Sequence, residues 1–387
     1  MRDVIIIGGG PAGLYAARSL ARGGFDVTII EEHQVAGEPV HCTGILAPEA
    51  FDEFALPRTS ILNELKTVRF HSPAGQVIQF ATERIEALVV DRRSFDQSLS
   101  RSARDEGVDI CLGRRVANIA IDSTSVRVHC VGEECARTSR ACIIATGAAY
   151  GLHRALGLGF PPVFLNSAQI EVPVFCPGDV ELHFGAAVAP KGFAWIVPVL
   201  RTTGNHARVG LVCEGNAVHY FGRFLNRVRE RWGIEADQAV EPQQRILPLA
   251  PIRKTYGSRL LVVGDAAGLV KPTTGGGIYY GIVSAAIATH VMADALRRDQ
   301  LSESSLRAYQ TCWQDRLMEE IEAQLTLRLL LQRMTDPEIE GFFDLAATDG
   351  LMPLVRKTAM FNQHRKLILA LVKYPATRKI LFRKLVA

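Results

Sequence analysis

No Cys-x-x-Cys pair occurs in the sequence, although it holds eight cysteines, at positions 42, 111, 130, 135, 142, 176, 213 and 312. None is spaced with histidine as a zinc ligand set requires, so neither a metal centre nor a disulfide framework is expected. An export signal is also missing: the apolar run Val4–Ile7 is far too short for one and is cut by Gly8-Gly9-Gly10. A reducing cytoplasm is therefore the expected compartment. The longest uncharged run, Pro272 to Ala293, spans 22 residues, close to the length that crosses a bilayer. It opens on Pro-Thr-Thr-Gly-Gly-Gly and contains Ser284, Thr289 and His290, which reads as a buried helix instead. Excess charge is scarce, with a net +4, and no repeat or low-complexity tract occurs. The stretch Gly350 to Ala387 holds nine Lys and Arg and no Asp or Glu, leaving the rest of the chain net acidic. The cationic character is local, so a nucleic-acid partner is not expected.

What is present is a globular composition, 48% hydrophobic and 22% charged over 387 residues, too long for one small core. The first thirty residues read as strand (Val4–Ile7), glycine turn, helix (Ala12–Arg22) and strand (Val27–Ile30), one βαβ unit. A hairpin, Lys66–Phe70 with Val77–Phe80, flanks Ser72-Pro73-Ala74-Gly75. A helix over Ser94–Glu106 precedes strands near 108–112, 116–121, 126–130 and 142–145. From Phe164 to Ile246 the texture becomes alternating, with strands at 169–174, 181–184, 194–199 and 207–213. Buried texture returns at Leu260–Val263. A helical period then runs through Leu306, Tyr309, Trp313, Leu317 and Ile321, and Asp336-Pro337 reads as a capped helix start.

Gly8-Gly9-Gly10-Pro11-Ala12-Gly13 fits Gly-x-Gly-x-x-Gly after a strand and at the opening of a helix. Gly8 makes the sharp turn, Gly10 admits a pyrophosphate, and Gly13 packs helix on strand. The helix N-terminus offers free N–H groups to the anion. Glu31 ends the second strand, where a carboxylate receives a ribose diol. A second phosphate-facing segment, Gly264-Asp265-Ala266-Ala267-Gly268 through Ile278, lies some 250 residues further on. Its helix N-terminus suits a flavin ring edge that gathers negative charge on reduction. Two such segments and a single βαβ fingerprint favour FAD over NAD.

These blocks, with Val90-Asp91-Arg92-Arg93-Ser94-Phe95-Asp96 and Ala145-Thr146-Gly147, resemble the p-hydroxybenzoate hydroxylase superfamily of flavoproteins. Pro39-Val40-His41-Cys42-Thr43-Gly44 and Gly192-Phe193-Ala194-Trp195-Ile196-Val197-Pro198 resemble, more narrowly, the geranylgeranyl reductase family. The resemblance runs from residue 1 to about 295 and implies an α/β fold: a Rossmann-like FAD-binding domain of interrupted topology (1–65, 90–163 and 247–300), an antiparallel-sheet substrate domain (66–89 and 164–246) and a helical C-terminal region (301–387). It implies that Gly8, Gly10, Ala12, Gly13 and Glu31 hold the pyrophosphate and ribose, and that Val116 meets the adenine through its backbone. Cys42, Thr43, Ile45, Arg92 and Gly147 would lie along the cofactor, and Asp265, Gly277 and Ile278 would hold the ribityl and ring end. Phe193 and Trp195 would line an apolar substrate slot. The family's Tyr-x-Trp-x-Phe-Pro pattern departs here to Phe-x-Trp-x-Val-Pro, and Ala148-Ala149 replaces the Asp-Gly pair of nicotinamide-using hydroxylases.

The implied activity is an FAD-dependent reductase that saturates C=C bonds of a geranylgeranyl or polyprenyl chain on a lipid, diphosphate or quinone. Hydride from the reduced flavin N5 needs a proton to match it. Cys42 is the candidate donor or a gate on the flavin face, against the reading that it only packs; His41 is a candidate relay. The electron donor, NAD(P)H, ferredoxin or another, is open. The basic segment 356–387 reads either as a peripheral contact with anionic lipid on the inner face of the membrane or as a helix on the acidic body. Two other functions stand beside the first: a flavin monooxygenase or halogenase, and a membrane-associated flavoprotein without turnover.

Overall fold

The computed structural model describes residues 1–175, 177–234, 241–348 and 350–382. At its centre five strands lie parallel in the order Leu260–Val262, Arg137–Ile144, Arg2–Ile7, Val27–Ile30 and Asp109–Cys111. Val4 to Ile7 and Ala141 to Ile144 are buried on both faces, as continuous β-branched runs in a parallel sheet should be. Strands Val116–Ile121 and Val126–Cys130 extend the sheet antiparallel from Arg137–Ile144. Helix Pro11–Arg22 packs on Arg92–Asp105 and on Ile278–Arg297, which in turn packs on Glu303–Leu331. The 20-residue helix Ile278–Arg297 is long and apolar enough to cross a membrane, yet Tyr280, Ile282, Ala285, Ala288 and Met292 sit in the main core.

A second sheet of seven strands runs Gln243–Pro248, Phe164–Pro173, Gly204–Cys213, Phe193–Arg201, Val180–His183, Thr67–His71 and Val77–Ala81. The hairpin read near residue 70 supplies its edge, with His71 opposite Val77 and one parallel pairing, Thr67–His71 on Val180–His183. One face is covered by a helix that the alternating texture of 164–246 concealed, Ala217–Trp232. Asn216 caps it by accepting the His219 N–H, left-handed Gly233 ends it, and Phe221, Phe224, Val228 and Trp232 face the sheet. A small sheet of Ile45–Leu46, Ala87–Val90 and Ile61–Leu65 joins the two large ones.

Beyond the long helix Glu303–Leu331 come Asp336–Thr348, Leu351–Thr358, Arg365–Lys373 and Pro375–Leu381. The Asp336 carboxylate does not cap its helix as expected. It accepts the Ala186 N–H, while the Thr335 N–H and hydroxyl bond to Glu338, closing the first turn from the other side. The end of the basic segment, Arg383 and Lys384 included, lies outside the described residues, as does Cys176.

Buried histidines make the fold acid-sensitive. His71 and His183 stack at 4.1 Å beside Glu181, whose two oxygens accept from Arg231. Burial, then the neighbouring His183, lowers His71 to about 4, and burial with nearby Lys271 does the same to His364. Unfolding frees both to take protons near pH 6.5, so stability rises with pH between about 4 and 6.5 and is lost as pH falls through that window. Each histidine contributes about 1.4 kcal/mol per pH unit there. Urea midpoints measured from pH 7.5 to 4.5 should fall accordingly, and His71→Phe should flatten the slope.

Candidate functional site

Between the two large sheets lies a cavity of about 1720 Å³. Its first wall is the glycine turn after Arg2–Ile7. Gly8 has φ +109°, and a Cβ there would stand 2.2 Å from the Ala145 carbonyl oxygen. At Gly13 a Cβ would meet the Gly8 carbonyl at 2.1 Å, so this glycine serves helix–strand contact. A Cβ at Gly10 would meet nothing within 4 Å: it would point into the cavity. Helix Pro11–Arg22 starts there with no side-chain cap and no acid in its first turn, leaving its N–H groups and positive end free. Glu31 closes this wall, accepting the Gly9 N–H at 2.6 Å and the His33 N–H at 2.9 Å.

The opposite end is built by Gly264 to Ile278. Burial pushes the Asp265 carboxyl up to about 6 against the pull of Arg92. A Cβ at Gly277 would lie 2.3 Å from Asp265 Oδ1, so glycine is required for the carboxyl to sit at the start of helix Ile278–Arg297. Arg92 is nearly buried and pairs with Asp96 at 2.9 Å; burial opposes its charge, but Asp96 and the Cys42 sulfur outweigh that and raise its pKa.

The segment from Pro39 to Ile45 forms the third side. Cys42 Sγ accepts the Gly44 N–H at 3.3 Å. The His41 ring accepts from Arg245 at Nε2, and burial followed by Arg245 lowers it to about 4, so it is neutral near pH 7 and keeps its one ring proton on Nδ1. Across the cavity, Phe193 and Trp195 lie on one face of their strand with ring centroids 5.7 Å apart. Gly210 makes room for the indole, since a Cβ there would come within 2.6 Å of it.

All the residues singled out in the sequence line this cavity except Gly13, which packs behind it. Sequence reading missed three polar residues at the same place. Gln169 Oε1 accepts from Thr43 Oγ1 at 2.6 Å and from Trp195 Nε1 at 3.2 Å, tying the cysteine segment to the apolar wall. Arg208, 1% exposed, donates to the carbonyls of Thr43 and Val90 and to Glu171, and fixes the loop that carries Cys42. Lys271, with the C-terminal stretch around Phe361 and Asn362, closes the ring end. None has a motif; each is a buried polar residue flanked by apolar ones. Arg208→Met strips these bonds from two buried carbonyls and is expected to cost about 3–5 kcal/mol, read as a drop in the urea midpoint, with no recovery in Arg208→Lys.

A digeranylgeranylglycerophospholipid reductase of Methanocaldococcus jannaschii is 30% identical to this chain over 353 residues, covering 88% of this chain and 89% of the relative. The chain belongs to the digeranylgeranylglycerophospholipid reductase family. A second reductase of that name, from Methanothermobacter thermautotrophicus, is likewise 30% identical over 88% of this chain and 90% of its own. The family model described as lycopene cyclase protein matches residues 3–346, across both large sheets. A geranylgeranyl bacteriochlorophyll reductase-like protein of Thermoplasma acidophilum shares the fold with a TM-score of 0.84 at 23% identity, over 99% of this chain and 98% of that one. A flavoprotein/dehydrogenase of Cytophaga hutchinsonii shares it too, with a TM-score of 0.67 at 18% identity over 99% of each chain, so the fold is the α/β architecture expected from the sequence.

Proposed function

We propose that this chain holds FAD in the cavity and saturates C=C bonds of geranylgeranyl chains carried on a membrane lipid. The observation that carries this reading is the continuity of one cavity. It begins at an uncapped helix N-terminus with an open Gly10 and ends against Phe193, Trp195, Phe70 and Leu182, an apolar wall. Such a space fits a dinucleotide at one end and a hydrocarbon at the other. The relatives named for a digeranylgeranyl lipid support the substrate, and lycopene, named by the matching family model, is itself a long isoprenoid chain.

In this reading Gly8, Gly10, Ala12 and the free N–H groups of helix Pro11–Arg22 hold the pyrophosphate, and Glu31 holds the ribose. Val116 lies at the adenine, with Arg92, Gly147 and Asp265 along the chain between. Gly277 and Ile278 turn a positive helix end toward the ring, beside Thr43 and Ile45. FAD, when bound and reduced, supplies hydride to one alkene carbon. The apolar wall excludes water, so the matching proton must come from a side chain, and Cys42 is placed to give it. The Gly44 N–H donates to its sulfur at 3.3 Å and fixes the side chain on the cavity wall. The exposed Arg356, Lys357, Lys366, Lys373 and Lys379 flank the cavity-lining Val355, Met360 and Leu367, and would rest on anionic lipid while the chain threads inward. The electrons this reading requires come from NAD(P)H, ferredoxin or another donor.

Anaerobic reduction of the purified protein followed by digeranylgeranyl lipid tests the reading. Flavin reoxidation with a mass gain of one H₂ per bond is expected. Strict dependence on oxygen would favour a monooxygenase or halogenase, and a reduced flavin that no lipid reoxidises would favour a protein without turnover.

A further inference from the structure

Lys271 is the group least explained by packing. It is 4% exposed, and its Nζ meets two neutral oxygens, Phe361 O at 3.1 Å and Asn362 Oδ1 at 3.3 Å, with the Phe361 ring centroid at 4.1 Å. Ordinary lysines keep the charged head in water. This one opens the tight turn before helix Ile278–Arg297: its N–H donates to the Gly276 carbonyl and its carbonyl accepts the Gly275 N–H. Its side chain passes beneath Gly276, where a Cβ would stand 2.8 Å from Lys271 Cε and 3.5 Å from Nζ. The Nζ atom therefore borders the cavity at the glycine turn that Asp265 and Gly277 define as its ring end, and Phe361 joins it to the cluster containing Phe193 and Trp195.

We propose, resting on the FAD reading above, that Lys271 is the electrostatic partner of the reduced flavin, taking up a proton as the ring becomes anionic and so binding the reduced form more tightly than the oxidised one. Two electrons and one proton convert oxidised flavin to the anionic hydroquinone; the second proton goes to Lys271 Nζ. Burial makes this possible. It lowers the lysine to about 7 while Glu49, which reaches it through Asn362, raises it. The other titratable groups around it are His364, which burial keeps neutral, Tyr280, whose hydroxyl faces the Asn362 carbonyl, Glu320, which accepts the His364 and Arg365 N–H groups, Arg328, which donates to the Pro272 and Thr273 carbonyls, and Asp265 across the glycine turn, which Lys271→Met leaves in place. A new anion beside Nζ raises the lysine again, and the proton follows.

The test is the midpoint potential of the flavin-loaded full chain, poised with dithionite, as a function of pH. Each proton taken up per two electrons adds about 30 mV per pH unit. Wild type is expected to show about 60 mV per unit between about pH 7 and 9, Lys271→Met half that slope and a lower potential, and Lys271→Arg a potential near wild type with the shallow slope. A wild-type slope of one proton across the whole window overturns the proposal without any variant, as does an unchanged potential in Lys271→Met. A chain that takes up no FAD at all overturns the underlying reading instead.

Discussion

Replacing Gly10 with aspartate is expected to leave the protein folded and to strip it of flavin. The residue has φ −79°, a conformation open to any side chain, and its Cβ meets no atom within 4 Å. It is also the N-cap of Pro11–Arg22, where aspartate accepts orphan N–H bonds and stabilises a helix by a few tenths of a kcal/mol over glycine. The same carboxylate then occupies the N–H groups proposed for the pyrophosphate and repels it at close range, which at an effective dielectric of about 20 costs roughly 4 kcal/mol at 4 Å. Affinity for FAD should drop by at least about 100-fold while the thermal midpoint holds or rises. Gly13→Val supplies the contrast: its side chain would collide with the Gly8 carbonyl, so stability should fail before binding can be measured. Titration of apoprotein with FAD, read by flavin fluorescence alongside a melt, separates the two. Normal FAD affinity in Gly10→Asp would remove the cradle from the account.

The cradle was legible in the sequence because its demands are local. A strand buried on both faces, a turn that only glycine can make and a helix of Ala and Leu lie within thirty residues, and Glu31 falls at the strand end by chain geometry alone. The segment Gly264 to Ile278 was legible for the same reason. Helix Ala217–Trp232 was not, though Asn216, Gly233 and the spacing of Phe221, Phe224, Val228 and Trp232 all announce it. Its neighbours are strands covered on one side by this helix and on the other by the cavity. Gly204–Cys213 is therefore buried along most of its length and shows no clean alternation against which a helical period would stand out.

The residues that hold the site together were hidden by the opposite rule. Arg208 and Lys271 carry charge, and charged residues are rarely buried, so sequence alone places them on the surface. Their burial is a tertiary fact. Arg208 is sequestered because strands from distant parts of the chain put the Thr43 and Val90 carbonyls within its reach. Lys271 is sequestered because the C-terminal segment folds back and brings Phe361 and Asn362 over it. That return also explains why a chain whose recognisable motifs end near residue 295 needs its last ninety residues: they close the cavity that the motifs open.

Cys42→Ala is expected to lower the rate of alkene reduction by about 100- to 1,000-fold while leaving FAD affinity and reduction by dithionite unchanged. The split follows from position. The sulfur lines the cavity and is fixed there by the Gly44 N–H at 3.3 Å. The substitution removes the sulfur alone and leaves Arg92, the glycine walls and Glu31, the groups proposed to hold the dinucleotide, in place. Cys42→Ser keeps size and a hydroxyl but offers a far weaker acid, and should recover little. In deuterated buffer the hydrogen that flavin delivers is itself drawn from solvent when dithionite is the reductant, so the wild type should place two deuteriums at each saturated bond, each on one face; the residual turnover of Cys42→Ala should lose facial selectivity at the carbon that receives the proton, as water replaces the fixed donor. Wild-type rates and unaltered labelling in Cys42→Ala would reduce this cysteine to packing and move the search for the proton source elsewhere along the cavity wall.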